Sequence, residues 1–171
     1  MHLLLCGQGR RESNSVTERH HQVLESQDHS GSSPNGATDS IGPDGEKIRV
    51  LIVDDHGHVR EIIKAVIALD QGIQVVGEAA NGLEAVAAAR RLAPNVILMD
   101  ITMPVMDGLE ATKRIRIEFP SARVLILSQY DDEHHRNRAI MNGASGFLSK
   151  TLIRDGLVPA IRMVASGGLS L

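Results

Sequence analysis

The chain has 171 residues, of which 42% are hydrophobic and 23% charged, and its formal net charge is −3 at pH 7. This is enough for one globular domain, with an aliphatic core because only 2% of the residues are aromatic. A basic nucleic-acid surface, a disulfide framework and a membrane span are not expected, since the charge is negative, one cysteine is present and no apolar run reaches roughly 18 residues.

Residues 1–46 differ in composition from the rest of the chain. They are rich in Ser, Gly, Asn, Gln and His, and the stretch GSSPNGATDSIGPDGE (31–46) is dense in turn-forming residues. Such a segment cannot bury enough apolar surface to offset the entropy lost on ordering. We therefore predict a disordered N-terminal extension over residues 1–46 and one folded domain over residues 47–171.

Five apolar runs in the second part are typical of buried strands. The predicted strands are IRVLIV (48–53), IQVVGEA (73–79), VILM (96–99), RVLILS (123–128) and a short fifth strand, GFLSK (146–150).

Amphipathic segments separate these strands. Apolar residues recur at helical spacing over 59–67. Two further helices are predicted from a capping residue followed by Glu three positions later, Asn81–Glu84 and Asp107–Glu110. A polar helix is predicted at about 132–142. The last helix is predicted from about 155 to 166, with Pro159 in its first turns, where proline is best tolerated.

The order of elements is a strictly alternating (βα)5 pattern. Continuously apolar strands are typical of a parallel sheet that helices cover on both faces. Right-handed crossovers then favour an α/β doubly wound sheet with strand order 2-1-3-4-5. In such a sheet, ligands bind beyond the carboxyl ends of strands 1 and 3, where the winding reverses.

Polar residues stand at the carboxyl ends of four predicted strands. They are Asp54 and Asp55 after strand 1, Asp100 after strand 3, Ser128 at the end of strand 4 and Lys150 at the end of strand 5. Three neighbouring carboxylates repel one another, so the cluster suggests a cation, and oxygen ligands favour Mg²⁺. A lysine and a hydroxyl suit phosphoryl oxygens, which places Asp100 as a nucleophile that forms an aspartyl phosphate.

Taken singly, each of these residues has an ordinary structural explanation as a turn former, helix cap or surface residue. Together, the segments VDD (53–55), MDITMPVMDG (99–108), LILS (125–128) and GASGFLSK (143–150) resemble the receiver domain of two-component response regulators. The resemblance covers about residues 47–166 and implies a flavodoxin-like fold.

This resemblance implies a role for each site residue. Asp100 accepts a phosphoryl group from a sensor histidine kinase, which Ser128 and Lys150 bind. The implied Mg²⁺ ligands are Asp55 directly, Asp54 mainly through water, Asp100, and the backbone carbonyl of Thr102. Phe147 occupies the switch-aromatic position, and the face formed by helix 4, strand 5 and helix 5 changes its packing. The protein is then a cytoplasmic signalling switch with slow self-dephosphorylation, and not a metabolic enzyme.

Thr151 and the closing IRMVASGG resemble receivers that precede a LuxR-type helix-turn-helix output domain, and no such domain follows in this sequence. The expected partner is therefore a downstream protein or an output domain outside these residues. These residues are not expected to bind nucleic acid directly. The subfamily resemblance permits a homodimer without requiring one.

Two other functions share parts of this pattern. A phosphatase of the haloacid-dehalogenase type is disfavoured because Thr102, and not an acid, stands two residues after Asp100. A phosphate-independent receiver-like module that binds proteins is disfavoured by the complete set of site residues, and it remains the alternative. His56 and His58 are expected to be solvated loop residues, with a transition-metal site as the less favoured interpretation.

Overall fold

A computed structural model of the chain describes residues 46–170. The prediction for the N-terminal extension therefore lies, except for residue 46, outside the described residues. The strands are β1 (Ile48–Val53), β2 (Ile73–Ala79), β3 (Val96–Asp100), β4 (Arg123–Ser128) and β5 (Gly146–Ser149). The helices are α1 (Gly57–Ile67), α2 (Gly82–Leu92), α3 (Gly108–Glu118), α4 (Glu133–Met141) and α5 (Ile153–Ala165), with a 3₁₀ turn at Lys150–Leu152.

The five strands form one sheet in the order β2-β1-β3-β4-β5, and all four pairings are parallel. This confirms the predicted doubly wound (βα)5 fold. The winding reverses between β1 and β3, so the carboxyl ends of these two strands lie side by side. Within residues 46–170, no helix has both the length and the apolar character needed to cross a membrane.

Alternate strand residues build two separate core layers. Leu51 and Val53 face one side of the sheet, where buried residues of α2, α3 and α4 pack against them. Val50 and Ile52 face the other side, which α1 and α5 cover. This period-two alternation explains why the strands read as continuous apolar runs, since both of their faces are buried.

Both predicted helix starts are present. The Asn81 side chain accepts a hydrogen bond from the Glu84 backbone N–H at 3.0 Å, and Asp107 does the same for Glu110 at 2.8 Å. These bonds satisfy backbone donors that the first turn leaves unpaired. The bond from Asp107 also fixes where α3 begins, beneath the carboxyl end of β3.

The carboxyl end of β5 differs from the prediction. The strand ends at Ser149, and Lys150 begins the 3₁₀ turn, in which the Ser149 hydroxyl accepts a hydrogen bond from the Thr151 backbone N–H. Helix α5 starts at Ile153, two residues before the predicted start, so Pro159 falls at the end of its second turn. Pro159 lies further inside the helix, on its exposed side. There its ring removes the bond to the Asp155 carbonyl, a group that water can reach.

The chain after α5 returns to the sheet. Ser170 forms an isolated parallel bridge with Gly146. The Phe147 backbone N–H donates to the Ser170 carbonyl at 2.6 Å, and the Ser170 N–H donates to the Ser145 carbonyl at 3.3 Å. Ser170 therefore pairs with the outer edge of β5, where no further strand of the described range lies.

Candidate functional site

A cavity of about 260 Å³ opens at the carboxyl ends of the strands. Its lining residues are Asp55, His56, Asp100, Thr102, Ser128, Gln129, Tyr130 and Lys150. Most of the residues predicted for the site therefore line one cavity. Asp54 does not line the cavity but is paired with Lys150, which does. Phe147 lies away from the cavity, in the core.

Lys150 joins two carboxylates at the floor of this cavity. Its Nζ donates to Asp54 Oδ2 at 2.6 Å and lies 2.9 Å from Asp100 Oδ1. All three side chains are buried: Lys150 is 9% exposed, Asp54 2% and Asp100 8%. Water screens such a buried group poorly, so each charge depends on the others for compensation.

Burial and charge shift the pKa values of this group. Burial raises the pKa of Asp100, and the hydrogen bond and positive charge of Lys150 only partly oppose that shift. Burial lowers the pKa of Lys150, but the hydrogen bonds and negative charges of Asp54 and Asp100 outweigh burial, so its pKa is raised overall. Lys150 therefore stays protonated at neutral pH, and Asp100 is a more basic carboxylate than a solvated one.

The acidic pair after β1 is held by local bonds. Asp54 Oδ1 accepts from the His56 backbone N–H at 2.9 Å, and the Arg60 guanidinium donates to the Asp54 carbonyl at 2.6 Å. Asp55 Oδ1 is a buried oxygen without a hydrogen-bond partner in the described part of the chain. An unsatisfied carboxylate oxygen in an oxygen-rich cavity is the donor that a hard divalent cation requires, so these residues fit a cation site.

The loop from β3 to α3 positions Asp100. A Cβ atom added at Gly108 would overlap the backbone carbonyl oxygen of Asp100, so only glycine fits where this loop passes beneath the strand end. Val105 has φ +69°, a left-handed conformation that is costly for a β-branched residue. The sequence predicted the Asp107 cap in this loop, but the need for Gly108 was missed, although the Asp-Gly pair itself was visible.

The predicted hydroxyl and aromatic residues lie on neighbouring strands. Ser128 is buried, and its Oγ accepts from the Tyr130 backbone N–H at 3.1 Å, which leaves the hydroxyl proton for another acceptor. Phe147 is 4% exposed, and the Arg136 guanidinium of α4 lies 5.6 Å from the centre of its ring. This distance is within cation–π range, and the contact was not predicted.

Comparison with known proteins agrees with this architecture. Residues 50–162 match the response regulator receiver domain. The transcriptional regulatory protein DegU of Brevibacillus brevis is 40% identical over 122 residues, covering 71% of this chain and 52% of that protein. A LuxR-family two-component response regulator from Aurantimonas sp. SI85-9A1 aligns with TM-score 0.71 and 35% identity, covering 74% of this chain and 90% of that one.

The receiver domain of the putative response regulator NarL from Mycobacterium tuberculosis has 34% identity and TM-score 0.62, covering 68% of this chain and 98% of that one. The chain belongs to the response regulator receiver domain family and is homologous to two-component response regulators. It spans about half the length of curated relatives such as DegU.

Proposed function

We propose that the domain is a phosphorylation-dependent switch in which Asp100 accepts a phosphoryl group from the phosphohistidine of a sensor histidine kinase. The observation that carries this proposal is the buried pairing of Asp100 with Lys150 in a cavity that Ser128 also lines. A nucleophile, a fixed positive charge and a hydroxyl donor thus share one space of suitable size.

The reaction follows from these positions. An oxygen of ionised Asp100 bonds to phosphorus while the phosphorus–nitrogen bond of the donor breaks, and the electron pair leaves with the histidine nitrogen. Lys150 neutralises charge on a phosphoryl oxygen, and Ser128 donates its free hydroxyl proton to another. Slow attack of water on the phosphoaspartate resets the switch, so the chain acts on itself and does not turn over a metabolite.

Mg²⁺ is the cation that the family resemblance implies for this site. Asp55 and Asp100 are proposed to bind it directly, together with the Thr102 backbone carbonyl, and Asp54 mainly through water. When bound, the ion supplies positive charge that offsets the carboxylates and the incoming phosphoryl oxygens. Asp55 Oδ1, which accepts no hydrogen bond from the described residues, supports this assignment.

The proposed output is a repacking of α4, β5 and α5. In the described structure Phe147 points inward, and Ala139 is the buried residue of α4. An element held by so little buried surface costs little to displace. Met141 of α4 is 86% exposed, so this helix already presents an apolar side chain to solvent.

We further propose a cytoplasmic location, a receiver domain over residues 47–171, and a downstream target that is either a separate protein or an output domain. Transcriptional control is supported by relatives that are called transcriptional regulatory proteins, and it would require parts beyond the receiver domain.

The test is intact mass after incubation with Mg²⁺ and acetyl phosphate. We expect the wild type to gain one phosphoryl group and Asp100→Asn to gain none. Asp107→Asn is the matched control, because Asn also caps helices well and Asp107 lies outside the cavity. Chelation of Mg²⁺ should abolish the gain.

Beryllofluoride with Mg²⁺ provides a second readout that does not depend on the phosphoryl donor. We expect chemical shift changes in the NMR spectrum at β5 and α4, including the Phe147 amide. No mass gain together with an unchanged spectrum would contradict the proposal and favour the phosphate-independent binding module.

A further inference from the structure

His56 brings a nitrogen donor to the acidic pair, as in the less favoured interpretation of the sequence. Its side chain is 52% exposed, in line with a loop histidine, yet Nδ1 lies 2.8 Å from Asp55 Oδ1 and 3.5 Å from Asp54 Oδ1. The three donor atoms all lie within 4.8 Å of one another. His56 also lines the cavity that contains Asp100.

Nδ1 approaches Asp55 Oδ1 at 2.8 Å, which is ion-pair distance, but without the alignment of a hydrogen bond. In an octahedral site with bonds of about 2.1 Å, adjacent ligand atoms lie about 3 Å apart and opposite ones about 4.2 Å. The 2.8 Å separation of His56 Nδ1 from Asp55 Oδ1 is close to that of two adjacent ligands of one ion.

We propose that His56 Nδ1 is an additional ligand of the cation held by Asp55, which makes the site a mixed nitrogen–oxygen site. This inference rests on the proposed cation site and deepens it. Mg²⁺ prefers oxygen donors, whereas imidazole favours first-row transition-metal ions. The site should therefore prefer ions such as Mn²⁺ over Mg²⁺ more strongly than a site made of oxygen ligands alone.

The position of His56 suits this role. It is the N-cap residue of α1, but its side chain makes no capping hydrogen bond. Its backbone N–H donates to Asp54, so the main chain is held by a bond that does not involve the ring. Removing the ring therefore takes away a metal ligand without removing a helix cap, and His56→Ala is expected to fold.

The test uses Mn²⁺ alone as the probe with the full chain. Pulsed EPR detects a directly bound imidazole through its ¹⁴N coupling, and the wild type should show that coupling. The same titration gives the Mn²⁺ affinity, and competition by Mg²⁺ gives the Mg²⁺ affinity. We expect His56→Ala to lose the coupling and to bind Mn²⁺ about tenfold more weakly, with a change of less than about threefold for Mg²⁺.

Two variants serve as controls for the other histidines near the cavity. The exposed ring of His58 lies edge-on to His56 at 5.6 Å, and the His135 ring is stacked on Tyr130 at 5.1 Å. His58→Ala and His135→Ala should retain both the coupling and the Mn²⁺ affinity of the wild type.

The outcomes separate this inference from the proposed function. Bound Mn²⁺ without a nitrogen coupling that depends on His56 would overturn the inference and identify His56 as a charge partner of Asp55, while the oxygen site and the phosphoryl switch would stand. Failure of the wild type to bind either ion would overturn the inference together with the cation site on which phosphoryl transfer depends.

Discussion

Replacing Lys150 by Met should destabilise the domain by about 3–5 kcal/mol at neutral pH, the usual cost of breaking a buried ion pair by removing one partner. Met retains the apolar stem but removes the charge that lies 2.6 Å from Asp54 and 2.9 Å from Asp100. Asp54 keeps its bond from the His56 N–H, but both buried carboxylates lose their counterion. Such a loss is a large part of the 5–15 kcal/mol that stabilises a typical protein.

The effect should depend on pH and on divalent cations. The folded-state pKa of Lys150 is raised, so its stabilisation is complete below its ordinary pKa of 10.5 and is lost as pH rises through the higher folded value. The variant should lack this alkaline loss, and its deficit should shrink in acid as Asp100, whose pKa is raised, becomes protonated. Mg²⁺ that binds the folded domain should raise its free energy of unfolding. A ligand at 100 times its Kd contributes about 2.7 kcal/mol.

The assay is urea unfolding followed by far-UV circular dichroism, with and without Mg²⁺. Lys113→Met is the control, since Lys113 is exposed on α3 and its loss should change the free energy of unfolding by less than about 0.5 kcal/mol. A loss below about 1 kcal/mol for Lys150→Met, with an unchanged m-value, would refute the claim that Lys150 is the counterion that compensates these carboxylates.

Three further outcomes are expected. Asp100→Asn should stabilise the metal-free domain, because the raised pKa of Asp100 means that folding disfavours its ionised form. Urea unfolding should show this gain in stability at neutral pH. The gain should disappear as pH falls towards 3.8, the ordinary pKa of the group. Gly108→Ala should cost several kcal/mol and abolish phosphorylation, whereas Gly57→Ala, where the new Cβ would meet its nearest atom at 3.6 Å, should be nearly neutral by thermal melting and intact mass. Ala93→Gly should raise the free energy of unfolding by about 0.5–1 kcal/mol in urea, because Ala93 ends α2 with φ +43°, and a lower value would contradict this reasoning.

The sequence alone was sufficient to predict the bounds of the strands that are apolar runs with a clear polar or turn-forming end. The bounds of β1, β2 and β4 agree with the prediction to the residue, because each apolar run ends where a polar residue or a turn follows. The gathering of Asp100, Ser128 and Lys150 also followed from topology, since parallel strands with right-handed crossovers bring their carboxyl ends to one edge.

What sequence reasoning missed depends on side-chain bonds and not on pattern. Helix α5 begins early because a 3₁₀ turn starts behind the Ser149 hydroxyl, and no periodicity marks that bond. The bond from Lys150 to Asp54 joins residues 96 positions apart. It was not predicted, because the family resemblance assigns Lys150 to the phosphoryl group. The approach of Arg136 to Phe147 and of His56 to Asp55 arises from rotamers, which one sequence does not reveal.

The Ser170 bridge has a consequence for how the protein associates. A strand at the edge of a sheet presents unpaired N–H and C=O groups and is a template for pairing with another chain. Ser170 occupies this position on β5 by accepting from the Phe147 N–H and donating to the Ser145 carbonyl. A chain shortened before residue 170 would expose these groups. If such a shortened chain associates edge to edge, the cause would be the loss of Ser170 from the edge of β5. That association would not by itself be evidence of phosphorylation.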